Sequence, residues 1–187
     1  MNIIRPDARA LLENGIIQSM SVIDWGKAMA RANEIIQRDL LRHRNLKAYD
    51  PELDADCPKV DHANNSPGFD ILLELDDGKL IKIQSKLRQV KGKTDFSHQI
   101  HFETTRRHSK KNEGDSSSTG HVAYSPNEFD YVLISLVNIA NGLENRNSVD
   151  KWSFSFIPVH ELVNKEKNCC VTQISAALLK KYQFKIL

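Results

Sequence analysis

Asp70, Gln84 and Lys86 place a carboxylate, an amide and an ammonium on two segments that read as neighbouring strands, residues 69–75 and 80–90. Between the segments stand Asp76, Asp77 and Gly78, a strong hairpin signal. A carboxylate such as Asp70 anchors a hard divalent cation, which prefers oxygen ligands and polarises a phosphate. The side-chain oxygen of Gln84 and the backbone carbonyl of Ser85 would complete the protein ligands. Lys86 would orient or help deprotonate an attacking water and offset negative charge developing on the phosphate. Together these groups suit Mg2+-dependent phosphodiester hydrolysis.

The three groups meet only in one register. In residues 69–75 the apolar Phe69, Ile71, Leu73 and Leu75 alternate with positions that include Asp70 and Glu74. In residues 80–90, Ile81, Ile83, Ser85 and Leu87 form a mostly apolar row, and Lys82, Gln84, Lys86 and Arg88 a polar one. A two-residue turn at Asp77-Gly78 would set Asp70 against Ser85 and each apolar row against a polar one, which burial of one face forbids. A three-residue loop, with Gly78 left-handed, instead pairs Leu75 with Lys79 and sets Asp70 opposite Gln84. Lys86 then lies one pleat further along the same face.

Helices and strands around the hairpin must hold it. The spacing predicts a helix over 6–14 that stops at Gly15, and a longer one over 21–44, where Ile23, Ala30, Ile35, Ile36 and Leu40 recur at near-helical intervals. Residues 47–68, with three prolines, read as a loop, and 92–97 as a second, mobile one. A strand is expected over 98–105 and an exposed polar stretch over 106–120. The nearly continuous apolar run 129–139 reads as a strand buried on both faces. Further strands are expected over 152–159 and near 169–172, and helices over 160–164 and 175–182.

The chain has 187 residues, of which 40% are hydrophobic, enough for one real core, so a single domain over 1–187 is the expectation. No run approaches the length of a membrane span and the start lacks the order of a secretory signal, which points to a soluble cytoplasmic protein. Three cysteines, two of them adjacent at Cys169 and Cys170, make neither a disulfide framework nor a zinc spacing. The net charge of +2 says little, but its distribution says more. Residues 50–77 are acidic, and 79–111 hold Lys82, Lys86, Arg88, Lys91, Lys93, Arg106, Arg107 and Lys110 with few acids among them. A carboxylate cluster beside a positive field suits a divalent ion and double-stranded DNA.

On these residues the sequence resembles the PD-(D/E)xK nuclease superfamily: Pro67 and Asp70 stand for its PD element, and Gln84-Ser85-Lys86 for its (D/E)xK element. The order of helix, hairpin, basic segment and buried strand matches the superfamily core over about residues 21–140. The resemblance implies an α/β fold of the restriction-endonuclease type, a central mixed β-sheet flanked by helices. Gln84 departs from the usual carboxylate and removes a negative charge, which weakens metal affinity unless another acid compensates. Related nucleases often recruit an acid from an N-terminal helix, so Glu34 is the candidate, with Glu74 and Glu103 as competitors. The longer stretches, GFDILLELDDGKLIKIQSKLRQVKG and the following TTRRHSKKN to FDYVLISL, resemble the small cleavage subunit of heterodimeric Type IIS restriction endonucleases, which are bacterial. That likeness implies a larger nicking subunit that recognises the site and cuts the other strand.

Other groups admit more than one role. His98, His101 and Glu103 lie on or near one strand, where His101 faces a substrate, packs, or supplies a metal ligand or base. His121, Tyr124, Arg106, Arg107, His108, Lys110 and Lys111 read as a DNA-contacting set with Arg88 and Lys91, or as a solvated loop. No nucleophile elbow, P-loop or dinucleotide fingerprint is present. Two rivals stay open: a non-catalytic DNA-binding scaffold, which Gln84 favours, and a self-sufficient homodimeric restriction or repair nuclease.

Overall fold

The computed structural model describes residues 21–60, 68–90, 100–101, 105–107, 121–139, 142–171 and 173–184. In chain order the elements are α1 (Val22–His43), β1 (Lys47–Tyr49), β2 (Ile71–Glu74), β3 (Leu80–Val90), β4 (Ile100–His101), β5 (Thr105–Arg107), β6 (His121–Ala123), β7 (Tyr131–Asn138), β8 (Ser153–Pro158), β9 (Val163–Asn164), β10 (Cys169–Cys170), β11 (Gln173–Ile174), α2 (Ala176–Lys181) and β12 (Gln183–Phe184). Short 3₁₀ helices precede and follow β8.

The run YVLISLVN explains the centre of the sheet. Leu133 and Val137 point into one apolar cluster, and Val132, Ile134 and Leu136 into the other, all of them 2% exposed or less. A strand with no polar face belongs in the interior of a sheet. β7 accordingly lies between β3 and β8 in a six-stranded sheet of order β1-β2-β3-β7-β8-β12. β3 and β7 run parallel, and each other neighbouring pair is antiparallel. The architecture is therefore α/β with a central mixed sheet, as the sequence implies.

α1 covers one face. Trp25, Met29, Ala32 and Ile36, spaced as one helical stripe, pack with Ile71, Ile83, Leu133, Val137 and Phe154. Trp25 meets Trp152 edge to face at 6.2 Å, so both tryptophans belong to the core. On the other face Leu179 of α2 joins Leu72, Val132, Ile134 and Ile157. Ser175 caps α2 by accepting the Leu178 N–H at 3.2 Å, and Ser155 Oγ donates to Leu179 O at 2.9 Å.

Several boundaries depart from expectation for identifiable reasons. Phe69 precedes β2 and packs opposite to Ile71 and Leu73, so the alternation does not extend back to it. The segment expected as a loop over 47–68 contributes β1, which pairs with β2 from Lys47↔Glu74 to Tyr49↔Leu72. Thr105–Arg107 pairs with His121–Ala123, so Arg106 and Arg107 lie in a ladder and not in an open stretch. Ile100–His101 pairs with Gln173–Ile174. A 3₁₀ helix over Val159–Leu162 and then β9 replace the helix expected over 160–164. The helix over 6–14 and the loop over 92–97 lie outside the described residues. Among the described residues no helix is long and apolar enough to cross a membrane.

Ile83, fully buried in the middle of β3, tests this packing. Ile83→Ala should lower stability by about 2–5 kcal/mol in urea unfolding, because a rigid sheet under α1 cannot close over the cavity. A change below about 1 kcal/mol would show that β3 does not pack against α1 in this way.

Candidate active site

The hairpin has the register that its apolar rows demand. Leu75 N–H donates to Lys79 O at 2.9 Å, Gly78 has φ 78°, and Ile71 pairs with Ile83. Continuing that ladder by one residue sets Asp70 opposite Gln84, and Asp70 N–H donates to Ile83 O at 2.9 Å. Asp70 Oδ2 accepts the Ser85 N–H at 2.8 Å and a hydrogen bond from Gln84 Nε2. Gln84 is 4% exposed, so its row is not a solvated face at this point. Burial raises the Asp70 carboxyl above its ordinary range, against the opposing pull of the Ser85 N–H and the Lys86 and Arg31 charges.

Buried polar contacts fix α1 on the other side of Ser85. Asn33 Nδ2 donates to Ser85 Oγ at 2.8 Å. Gln37 Nε2 donates to Leu133 O at 3.0 Å and to Ser135 Oγ at 2.8 Å. These bonds set the rotation and height of the helix over β3 and β7, and so bring Glu34, next to Asn33, beside Asp70. Glu34 and Asp70 share a cavity of about 240 Å³ with Arg31, Asp50, Glu52 and Phe69 among its walls. Desolvation, then the Asp70 charge, push Glu34 up to about 7 even though Arg31 bonds to it.

A rigid turn supplies the remaining acids. Asp50 Oδ1 accepts the N–H groups of Glu52 at 3.0 Å and Leu53 at 3.2 Å, an arrangement that closes the turn on its own side chain. Asp54 Oδ2 accepts the Asp50 N–H at 2.7 Å and is bridged by Arg38 and Arg42 of α1 at 3.2 and 2.9 Å. The turn is thereby tied to the helix that carries Glu34.

Lys86 extends from the same row as Gln84. Its Nζ lies 3.5 Å from Tyr124 Oη and 5.3 Å from the centre of that ring. Of the acids expected to supplement Gln84, Glu74 is at the far end of β2, bonded to Lys47 and Tyr49 at 3.2 and 3.1 Å. Glu34 is the one beside Asp70, and Glu103 lies outside the described residues. Arg88 is in β3 two residues beyond Lys86. His101 is in β4, and Arg106 and Arg107 are in β5. Pro67, Lys91 and Lys110 lie outside the described residues.

The sequence reading missed Arg31, Asp50 and Glu52 as parts of the site. Asp50-Pro51-Glu52 stands in an irregular stretch with no periodicity to orient it, and its closeness to α1 is a long-range contact. Among the described residues no three His, Cys, Asp or Glu side chains are gathered at ion-coordinating spacing. The donor set nevertheless fits a hard cation, because the carboxylates of Glu34 and Asp70 line one cavity and the Gln84 amide, which now donates its N–H to Asp70, could add a neutral oxygen on turning over, with the Ser85 carbonyl as a second. Burial first, and the Asp70 charge second, hold the Glu34 acid near 7.

No family model matches the chain, and no curated protein does. Among solved structures, a bacterial homing endonuclease, I-Ssp6803I, is similar at 14% identity and TM-score 0.39, over 72% of this chain and 70% of that one.

The raised Glu34 value gives a stability signature in metal-free protein. Between its ordinary value near 4.5 and about 7, the folded state keeps a proton that the unfolded state has released. Stability should therefore fall as pH rises through that interval, by up to about 3 kcal/mol, with Asp70 acting in the same direction. Urea unfolding of Glu34→Gln in a chelating buffer should show a flatter pH dependence. Parallel wild-type and variant curves would remove Glu34 from the acid pair.

Proposed function

We propose that this chain is the catalytic subunit of a Mg2+-dependent endodeoxyribonuclease of the PD-(D/E)xK type, hydrolysing a phosphodiester in one strand of duplex DNA. The observation that carries the reading is the meeting at Asp70. Its carboxylate binds Gln84 and the Ser85 N–H across the hairpin and shares a cavity with Glu34, and Lys86 follows two residues after Gln84. Recognition of the DNA sequence falls to a larger nicking subunit, on the strength of the resemblance of residues 68–92 and 104–136 to Type IIS cleavage subunits.

Asp70, Glu34, the Gln84 side-chain oxygen and the Ser85 carbonyl would hold the cation. When bound, the metal supplies Lewis-acid polarisation of the scissile phosphate. Offering its oxygen requires the Gln84 amide to turn from the Asp70 bond, a two-fold rotation at the end of the side chain. Asp70 keeps its orientation through the Ser85 N–H. Lys86 brings a positive charge to orient the attacking water and to offset charge developing on the phosphoryl oxygens. Tyr124, 8% exposed and against the Lys86 ammonium, limits the directions that this charge can take. Arg88, Lys91, His101, Arg106, Arg107 and Lys110 are the candidates for backbone contacts to DNA.

One observation favours a second reading. The Gln84 amide donates to Asp70 and so satisfies a buried carboxylate without a metal, as a non-catalytic scaffold subunit would need. A homodimeric nuclease that needs no partner is separated from the first reading by its ability to cut both strands alone.

Cleavage of duplex DNA with Mg2+, with and without a site-recognising nicking subunit, tests these readings together. Asp70→Ala and Lys86→Ala should each lower second-strand cutting at least about a hundredfold while DNA binding persists. Unchanged cutting by either variant would contradict the hairpin assignment and leave the scaffold reading. Gln84→Glu, which restores a charged ligand, should lower the Mg2+ concentration for half-maximal cutting by about tenfold. No change would mean that residue 84 does not face the cation.

A further inference from the structure

Two arginines one heptad apart on α1 have different surroundings. Arg38 is 1% exposed and held by Asp39 and Asp54, a structural role inside the protein. The Arg31 side chain is 40% exposed, and its guanidinium reaches the cavity acids. Nη1 bonds to Glu34, while Nη2 lies 3.0 Å from both oxygens of Asp50 and 3.2 Å from Glu52. We propose that Arg31 is a built-in counter-ion of this cavity, held by Glu34, Asp50 and Glu52 when no metal is bound and displaced when a divalent cation enters. The proposal rests on the reading of Asp70 and Glu34 as cation ligands.

Arg31 and a divalent cation compete for the same carboxylates. Glu34 Oε2 receives the Arg31 N–H, so this oxygen serves a cation only by sharing or giving up that bond. A guanidinium left in place would stand within a few ångströms of a second positive charge in a partly desolvated cavity, where repulsion is strong. Four carboxylates, from Glu34, Asp50, Glu52 and Asp70, face this one guanidinium from the walls. They attract either cation. The partial exposure of Arg31 gives its long side chain a way out to solvent without disturbing the core, whereas Arg38 has none. A displaced guanidinium at the rim is then free to bind a DNA phosphate, for which its forked donors are suited. Metal entry and substrate binding would be coupled through one side chain.

Mn2+ titration of the metal-free full chain by calorimetry tests this without reading activity. Arg31→Ala should bind Mn2+ about tenfold more tightly than wild type, and Arg31→Lys, which keeps the charge, should stay much closer to wild type. Affinity that is unchanged or weaker in Arg31→Ala would overturn the proposal. Asp70→Ala serves as the control for the underlying site. If it leaves Mn2+ binding untouched, the cation-site reading fails and this proposal with it, whereas normal loss in Asp70→Ala with no gain in Arg31→Ala overturns the counter-ion role alone. A second measurement needs no variant: the Arg31 side-chain N–H signals in NMR should lose their protection from solvent exchange on saturation with Mg2+. Retained protection would contradict displacement.

Discussion

The site depends on the register of one hairpin. Gly78, in the left-handed conformation, closes a three-residue loop that pairs Leu75 with Lys79, and every later pairing in β2 and β3 follows from it. A slip by one residue would set Ser85 against Asp70 and turn Ile81, Ile83 and Leu87 away from α1. The apolar row thus enforces the polar one. Asp70 receives the Ser85 N–H and the Gln84 amide because burial of the opposite face allows no other pairing.

A second constraint places the helix. α1 is held over the sheet by an apolar stripe, which leaves freedom to slide, and by Asn33 and Gln37, which remove it. Their partners, Ser85, Ser135 and the Leu133 carbonyl, lie on the two central parallel strands. Buried amides of this kind stabilise less than they specify, since each has few positions in which its donors are satisfied. They set Glu34 at the mouth of the hairpin. Arg38 and Arg42 extend the same frame to Asp54 and so to the turn at Asp50.

Much of this frame was legible in the sequence. The helix read over 21–44 is α1 to within one residue at each end, and the strand read over 80–90 coincides with β3. Both carry strong periodicity or clear turn residues. The alternation rule alone gave the three-residue loop, and with it the facing of Asp70 and Gln84. What stayed hidden is long-range. β1 is three residues long and exists because β2 offers it an edge, so Lys47–Tyr49 carries no signal of its own. Phe69 lies on the face opposite to the one its spacing implies, because alternation begins only where the ladder does. Arg31, Asp50 and Glu52 enter the site by the packing of a turn against a helix, which no period announces.

The proposed chemistry requires Asp70 and Glu34 to bind one divalent cation together. Anomalous scattering from crystals grown with Mn2+ tests it most directly. The account predicts a peak at roughly 2.2 Å from oxygens of both carboxylates, with the Gln84 side-chain oxygen or the Ser85 carbonyl also in reach. A fully occupied Mn2+ elsewhere, with Glu34 and Asp70 keeping the bonds to Arg31 and Gln84 that they have here, would contradict it.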